Sequence, residues 1–371
     1  MRLITTSRDE LLKPLMMVAG IVERRHTMPI LANVLIQKKG KRIVFIATDL
    51  EVQICAQAEI GDGDDEIATT VSARKLIDVL RALPAVDNVR LTLDGTKLLI
   101  QSGKSRFSLQ TIDAIEFPKL TELTQPAIEI SIPSSNLKHL FGMTHYAMAH
   151  QDIRYYLNGT LLVFEKSQLH AVATDAHRLA HHSIAIDGPE ESSEVILPRK
   201  TVTELQRMLP DSDDPVVMQV GTGQIRFSFG DVEVISKLVE GKFPDYKRVI
   251  PTNYDCVFEV DREQMLGSLN RAAIVTTNEK MRSVRIQLNQ NLMTVSSSNT
   301  EQEDVFEEIE IDYAFSPLDI GFNVTYLQEF LSSVKSPTVR WAVKPPDNNA
   351  SILLGVPGEE SFQYVVMPMR I

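Results

Sequence analysis

The chain has 371 residues, of which 43% are hydrophobic and 23% charged, and its formal net charge is −11. This length predicts two or three domains, and no apolar run approaches the roughly 18 residues of a membrane span. The start of the chain lacks a signal-peptide pattern, and the only two cysteines, Cys55 and Cys256, do not suggest a disulfide framework. We therefore expect a cytoplasmic protein, and the acidic balance argues against an ordinary nucleic-acid binder.

Taken in chain order, hydrophobic patterns predict a helix over 7–25, several strands, and a second helix over 72–83. Alternating strands follow over 88–112, where Asp94-Gly95 marks a hairpin turn. The same order returns with helices over 134–156 and 198–209, and again over 261–283 and 322–335. Pairs of helices combined with antiparallel strands predict an α+β fold.

Three landmarks recur at a spacing of 126 residues. They are ATDLEVQI (47–54) with ATDAHRLA (173–180), ARKLIDVLRALP (73–84) with PRKTVTELQRMLP (198–210), and EFPKL (116–120) with KFPDY (242–246). A weaker third copy places 258–288 against 128–164. The sequence thus predicts three modules, 1–125, 126–252 and 253–371, with Pro126 and Pro251 near the joins. Modules repeated by a similar rotation trace an arc, which two chains joined head to tail can close into a ring.

The positive charge is concentrated on the predicted helices. Together the six segments carry a net charge of +7, which leaves −18 for the rest of the chain. If the helices share one face, that face attracts a phosphate backbone while the remaining surface repels it. The alternative is that Lys and Arg are simply good helix formers on solvated faces.

Enzyme motifs find little support in the sequence. SGKS (102–105) lacks a Walker A glycine, since Leu98 stands five positions before Gly103, and a strand pattern follows it. His177 and His181 have the spacing of a zinc helix, but Arg178 replaces the required glutamate and the stretch alternates as a strand. We expect no catalytic residue, no cofactor and no metal. An enzyme with an unrecognised site, and a scaffold that never encircles DNA, stay open as alternatives.

Several longer stretches together resemble one known family. They include TMPILANVLI, SGKSRFSL, MAHQDIRYYLNG, VATDAHRLA, KLVEGKFPDYKRVIP and the terminal YVVMPMRI. The chain resembles, from end to end, the bacterial sliding clamp, the beta subunit of DNA polymerase III. The resemblance implies a DNA-clamp fold of three tandem repeats, each with two helices against antiparallel sheets, in a ring-shaped head-to-tail homodimer. It also implies a processivity factor that encircles double-stranded DNA without reading its sequence.

The same resemblance implies partners and a way to bind them. The partners are the polymerase III alpha subunit, the delta subunit of an ATP-driven clamp loader, and other DNA polymerases and repair proteins. All would share one apolar, methionine-rich slot for a short peptide. In this sequence the residues of the slot correspond to Leu157, Thr174, His177, Arg178, Leu179, Pro244, Val249, Val365, Met367, Pro368 and Met369. Taken one at a time, these apolar residues are better explained as core, and only the resemblance identifies them as a set.

Two further sets of residues follow from the resemblance. Contacts with DNA are implied for Arg25, Arg74, Gln151, Tyr155, Tyr156, Arg199 and Lys200, whose cations suit phosphates and whose tyrosines suit exposed bases. A dimer contact is implied between Phe107 and Leu109 of one chain and Ile274 and Val275 of the other. The charges there suggest ion pairs of Lys75, Lys104 or Arg106 with Glu301, Glu303 or Glu307. The alternative is that the acidic run is simply a solvated strand face. The sequence departs from the family pattern at His26, Ala176 and Met281, which leaves open the reach of Arg25, the slot rim and the interface edge.

Overall fold

The structure is a computed structural model that describes residues 1–22, 28–85, 88–254, 256–276 and 282–370. Within these ranges it contains 24 β-strands and six α-helices. One order of elements occurs three times: a strand, a helix, four strands, a helix and three strands. This order confirms the predicted α+β fold of three tandem repeats with two helices each. The module boundaries at 125 and 252 stay a prediction.

The elements of the first repeat are β1 (Arg2–Ser7), α1 (Arg8–Val18), β2 (Asn33–Lys39), β3 (Arg42–Thr48), β4 (Val52–Glu59), β5 (Glu66–Ser72), α2 (Ala73–Ala82), β6 (Asn88–Asp94), β7 (Lys97–Ser102) and β8 (Ser105–Ile112). Those of the second are β9 (Ile128–Pro133), α3 (Ser134–Gly142), β10 (Gly159–Phe164), β11 (Gln168–Thr174), β12 (Arg178–Ala185), β13 (Ser193–Pro198), α4 (Arg199–Met208), β14 (Pro215–Gly221), β15 (Gln224–Phe229) and β16 (Val232–Lys237). Those of the third are β17 (Cys256–Asp261), α5 (Arg262–Val275), β18 (Ser283–Asn289), β19 (Leu292–Ser298), β20 (Asp304–Glu310), β21 (Leu318–Asn323), α6 (Val324–Ser333), β22 (Thr338–Val343), β23 (Ile352–Val356) and β24 (Glu359–Val366).

The chain divides into two compact units, each formed by two segments. The first unit comprises Met1–Leu137 and Thr203–Leu238. Its strands form one sheet in the order β1-β6-β7-β8-β5-β2-β3-β4-β16-β15-β14-β9. The antiparallel pairing of β4 with β16, with Ile54 opposite Val234, continues this sheet from the first repeat into the second.

The second unit comprises Lys138–Val202 and Val239–Ile371. It contains an eight-stranded sheet, β13-β10-β11-β12-β24-β23-β22-β17, and a four-stranded sheet, β20-β19-β18-β21. Here β12 pairs antiparallel with β24, with Leu179 opposite Val365, so this sheet continues from the second repeat into the third. The seam between β12 and β24 positions the candidate site.

The basic helix α2 shows why these segments are helical. Ser72 accepts a hydrogen bond from the backbone N–H of Lys75 and so caps the first turn. Leu76, Ile77 and Leu80 are buried at helical spacing, which leaves Arg74 and Lys75 exposed on the opposite face. The predicted amphipathic helix is therefore confirmed, and its cations point to solvent.

The long helix predicted over 134–156 is wrong beyond its first third, because α3 ends at Gly142. Short 3₁₀ turns at His145–Ala147 and Tyr155–Leu157 follow instead. The side chains of Asp152 and Asn158 bond to nearby backbone, and such local bonds compete with a helix. The helices predicted over 7–25 and 261–283 are also shorter, since α1 ends at Val18 and α5 at Val275.

Candidate functional site

A cavity of about 240 Å³ lies in the second unit beside the β12–β24 seam. It is lined by Arg154, Tyr156, Leu157, Thr174, Ala176, Arg178, Leu179, Phe243, Pro244, Tyr246, Val249, Val365 and Met367. Eight of the eleven residues predicted for the peptide slot are therefore brought together: Leu157, Thr174, Arg178, Leu179, Pro244, Val249, Val365 and Met367.

The floor of this cavity belongs to the hydrophobic core of the unit. Leu157, Leu179 and Val365 are each at most 2% exposed and pack in one cluster with Phe243 and Tyr246. At the rim, by contrast, Val249 and Met367 are 36% and 38% exposed. An apolar floor with exposed apolar edges is the usual form of a site that accepts hydrophobic side chains, and methionine adapts to different ones.

One wall is the tight turn between β11 and β12. The Thr174 hydroxyl donates to the carbonyl of Arg178 at 2.6 Å and accepts from the N–H of Ala176 at 3.1 Å. The Asp175 carboxylate accepts from the N–H groups of His177 and Arg178 at 3.0 and 3.1 Å. These bonds hold Ala176 at φ +75°, a left-handed conformation that favours glycine. Ala176 thus places a methyl group on the cavity wall and strains the turn.

Behind the turn, Arg178 is only 8% exposed and each nitrogen of its guanidinium donates a hydrogen bond. It donates to Asp175 at 3.1 Å, to the carbonyl of Tyr146 at 2.6 Å, and to Glu329 on α6. The guanidinium carbon also lies 4.3 Å from the ring centroid of Tyr326. The charge of Arg178 is therefore used within the unit, and its side chain fixes the wall.

Three predicted slot residues do not line the cavity. His177 is exposed in the turn, and its carbonyl accepts from the N–H of Met367 at 2.9 Å, so it positions the rim. Pro368 is half-buried next to Met367. Met369 donates its N–H to Gly321 at 2.8 Å and lines a separate, polar concavity of about 920 Å³ over the four-stranded sheet.

Sequence reasoning missed Arg154, Phe243 and Tyr246 as lining residues, and it assigned Tyr156 to DNA. The aromatic residues on both sides of Pro244 in KFPDY were a usable signal. Arg154 stands two residues before Tyr156 and three before Leu157, which also line the cavity, but no motif in the sequence marks it as a lining residue.

The loop 151–158 presents Tyr155, which is 57% exposed, and Gln151, which is exposed at φ +55°. Its shape is fixed by Asp152, whose carboxylate accepts from the backbone and the guanidinium of Arg154. Hydrogen bonds from Arg154 lower the pKa of Asp152 to about 2. This rigid loop holds two of the predicted DNA contacts in the open.

The remaining residues predicted to contact DNA differ in exposure and in the bonds that they make within the protein. Arg74 is exposed, with Asp78 at 3.7 Å on the same helix. Arg199 is half-buried and donates to the Met148 carbonyl at 2.9 Å, so its guanidinium supports the chain before the loop. Lys200 is half-buried on α4. Arg25 lies outside the described residues.

The residues predicted for the dimer interface lie on two edge strands, β8 and β20, and on the helices and turns of the same repeats. In the first unit, β8 pairs with β5 only at Ile112 and Thr111, so within the described residues its outer edge is open over the rest of the strand. Phe107 on this strand is 38% exposed, Leu109 is half-buried, and Lys104 and Arg106 are exposed. Lys75 is exposed on α2.

In the second unit, β20 is the edge strand of the four-stranded sheet. Ile274, at the end of α5, is 71% exposed, and Val275 is half-buried. Of the predicted carboxylates, Glu301 and Glu303 are exposed, whereas Glu307 already receives two hydrogen bonds from Arg271 at 2.6 and 2.8 Å. Glu307 is therefore less available for an ion pair with a second chain than the sequence suggests.

Family models of the DNA polymerase III beta subunit match the chain in three parts: the N-terminal domain over residues 2–121, the central domain over 131–245 and the C-terminal domain over 247–370. The chain is 41% identical to the beta sliding clamps of Salmonella typhimurium and Escherichia coli K12 over 367 residues, which is 99% of both chains in each comparison.

Solved structures agree with these matches. The DNA polymerase III subunit beta of Pseudomonas aeruginosa superposes with a TM-score of 0.92 at 41% identity, covering 100% of both chains. A sliding clamp of Bartonella birtlesii bound to griselimycin superposes with a TM-score of 0.94 at 33% identity, again covering 100% of both chains. None of the described helices has the length and apolar composition that a membrane crossing requires.

Proposed function

Because the chain belongs to the family of DNA polymerase III beta subunits, we propose that it acts as a sliding clamp that encircles duplex DNA in the cytoplasm. In this role it is a non-catalytic processivity factor, which keeps a polymerase on its template by topology. A closed ring leaves DNA only by opening or by reaching an end, so its contacts with the duplex need not be tight. Weak phosphate contacts that ignore sequence then permit sliding.

The two open sheet edges support a head-to-tail homodimer. The β8 edge carries Phe107 with the cations Lys104 and Arg106, whereas β20 has the sequence DVFEEIE with four carboxylates. Two β20 strands would repel each other, and like charges are a known protection against edge pairing. Opposite charge favours β8 of one chain beside β20 of another and sets the register of the pair. Phe107 and Ile274 would supply the apolar contact.

The apolar cavity would bind short peptides of the partner proteins. Each apolar anchor that enters it contributes roughly 1.5–3 kcal/mol before ordering costs. Two or three anchors then give affinities near the micromolar range, about −8 kcal/mol. At that affinity the polymerase III alpha subunit, the delta subunit of an ATP-driven clamp loader, and other polymerases and repair proteins can replace one another on a single site.

Exposed polar and basic groups would meet the DNA. Arg74 on α2 and the loop with Gln151 and Tyr155 are the described candidates with exposed side chains. Arg25 belongs to the same proposal by resemblance alone. Arg199 contributes indirectly in this proposal, because its bond to the Met148 carbonyl supports the chain that leads to the loop.

The observation that carries the proposal is the apolar cavity around Met367 in a chain that matches sliding clamps along its whole length. The test is retention on DNA. Labelled protein is loaded on a nicked circular plasmid with ATP and the clamp loader of the source cell, and it is then separated from free protein by gel filtration. We expect the protein to remain on circles and to be lost after a restriction enzyme linearises them.

Two outcomes of this test are decisive. Blocking both ends of the linear DNA with streptavidin on biotinylated termini should restore retention, because a ring cannot pass the block. Equal retention on circles and on open linear DNA would identify an ordinary DNA binder. If the protein were retained on neither circular nor linear DNA, the result would favour the alternative of a scaffold that never encircles DNA.

A further inference from the structure

Three side chains with metal-binding atoms meet in the second unit, and none of them lines the apolar cavity. They are His139 on α3, His182 on β12 and Glu359 at the start of β24, and one ligand atom from each lies within 4.8 Å of the other two. Nε2 of His139 is 2.6 Å and Nε2 of His182 is 3.4 Å from the same Glu359 oxygen. Within the described ranges, this is the one cluster of at least three His, Cys, Asp or Glu side chains with such spacing.

The environment of His182 is unusual. The residue is 2% exposed, and its Nε2 has no hydrogen-bond partner although it faces the other two ligand atoms. Buried polar atoms are nearly always paired, so this nitrogen requires an explanation. Nδ1 of the same ring lies 3.5 Å from the Ser361 hydroxyl. With the proton on Nδ1, the lone pair of Nε2 points into the cluster, as in histidines that bind a metal.

We propose that His139, His182 and Glu359 form a binding site for a divalent transition-metal ion, with Zn²⁺ as the best match. Two imidazoles and one carboxylate are a ligand set of catalytic and exchangeable zinc sites, in which water takes the fourth position. Ca²⁺ and Mg²⁺ prefer sites made of oxygen ligands only.

Two of the three separations between ligand atoms require only a small adjustment. Zinc binds histidine nitrogen and carboxylate oxygen at about 2.0–2.2 Å, so tetrahedral neighbours lie roughly 3.4 Å apart. The His182–Glu359 separation of 3.4 Å already has this value. The His139–Glu359 pair at 2.6 Å must open by less than about 1 Å. The His139 side chain is 50% exposed and that of Glu359 26%, so both can rotate and an ion can enter from solvent.

A bound ion would fasten α3 to the β12–β24 seam. His182 lies opposite Phe362 in that seam, and Glu359 opens the strand that follows the β23–β24 turn. An ion that binds only the folded protein stabilises it by mass action. The ion would therefore reinforce the place where the second repeat joins the third. No sequence motif indicates such a site, because the three ligands are up to 220 residues apart.

The test measures zinc binding to the full-length protein after treatment with a chelator. Isothermal titration with ZnSO₄ should show one ion per chain, and Co²⁺ should give the strong visible absorption of a four-coordinate site. Zinc should also raise the melting temperature. The variants His139→Ala and Glu359→Gln change partly exposed side chains, so they should fold and lose more than the roughly 10- to 100-fold affinity that removal of an outer-shell group costs.

The matched control is His150→Ala, which removes an exposed histidine outside the cluster and should leave zinc binding unchanged. Circular dichroism confirms that each variant is folded. Failure of the unaltered protein to bind zinc at micromolar concentration would overturn the proposal. So would full binding by folded His139→Ala and Glu359→Gln, since the ion would then reside elsewhere.

Discussion

Replacing Arg178 by methionine tests whether this residue stabilises the wall of the cavity or contacts the bound peptide directly. The change keeps a long side chain next to Leu179 and removes the guanidinium with its bonds to Asp175, Glu329 and the Tyr146 carbonyl. The structure places this charge behind the cavity, at 8% exposure. We therefore expect a large loss of stability and only a small loss of peptide affinity in the protein that stays folded.

The magnitude follows from the groups that are left behind. Removing one partner of a buried ion pair costs about 3–5 kcal/mol, because the other charge stays buried without compensation. The Glu329 side chain is 41% exposed and can be hydrated, but that of Asp175 is only 16% exposed and the Tyr146 carbonyl loses its donor. We therefore take the lower end, about 3 kcal/mol, which lowers the melting temperature by roughly 6–12 °C in a unit of this size.

Arg154→Met is the matched control. Arg154 also lines the cavity and bonds to a carboxylate, but its side chain is 43% exposed and that of Asp152 is 22% exposed. Exposed pairs contribute about 0–1 kcal/mol, so this variant should unfold almost as the unaltered protein does. The assay is urea denaturation followed by circular dichroism, with peptide affinity measured by fluorescence anisotropy at about 25 °C. Equal destabilisation by the two substitutions would refute the reasoning about burial.

Four further changes have distinct outcomes. Met367→Asp should abolish binding of a partner peptide in the anisotropy assay and leave the dimer intact, whereas Met28→Asp, at a similar 40% exposure, should bind normally. Ile274→Asp should yield monomers in light scattering without loss of stability, because the residue is 71% exposed, and Ile153→Asp, at 95%, should remain dimeric. Ala176→Gly should stabilise the protein by up to about 1 kcal/mol in urea denaturation, since it relieves a left-handed alanine; a loss of stability would contradict the strain. Burial raises the pKa of the Cys55 thiol to about 12, against an ordinary 9.0. In a Cys256→Ser variant, Cys55 should therefore react with a disulfide reagent at pH 8 about a thousandfold more slowly than a free thiol, and the rate should rise tenfold per pH unit. A rate close to that of a free thiol would contradict this prediction.

Much of the fold was predictable because the helices and strands of each repeat have local sequence patterns, such as hydrophobic spacing and capping residues. The capping serine and the buried positions of α2 are all in one short stretch of chain, so periodicity alone locates this helix. The end of α3 at Gly142 was not predictable in the same way. The loop beyond α3 is fixed by Asp152 and Asn158, whose side chains bond to the backbone of the loop and override the helical pattern.

The site was predictable only in part, and for a different reason. Family resemblance brought eight lining residues together, although they come from four separate stretches of chain. The resemblance, however, assigns a role to a residue by its place in the sequence, and that place does not show which groups the side chain contacts. Arg178 and Arg199 are cations that the sequence offers to partners or DNA, yet the structure engages both with groups of the same unit. The backbone carbonyls that accept these hydrogen bonds lie 32 residues from Arg178 and 51 residues from Arg199, and no sequence pattern relates them.

The repeated Thr-Asp turn shows how one backbone arrangement carries different side chains in the first and second repeats. Residues 48–52 form the same turn as 174–178: Thr48 donates to the fifth residue of the turn, Asp49 accepts from the fourth and fifth, and Leu50 has φ +77°. In the first copy the fifth residue is Val52, which is fully buried and needs no partner, and Leu50 covers the turn by packing on a core cluster. In the second copy these positions are Arg178, which makes a buried network of hydrogen bonds, and Ala176, whose shorter side chain also packs on a core cluster and lines the apolar cavity. The same backbone turn thus packs on a core cluster at one repeat and lines an apolar cavity at the next, so the difference between the two copies lies in the side chains on the turn.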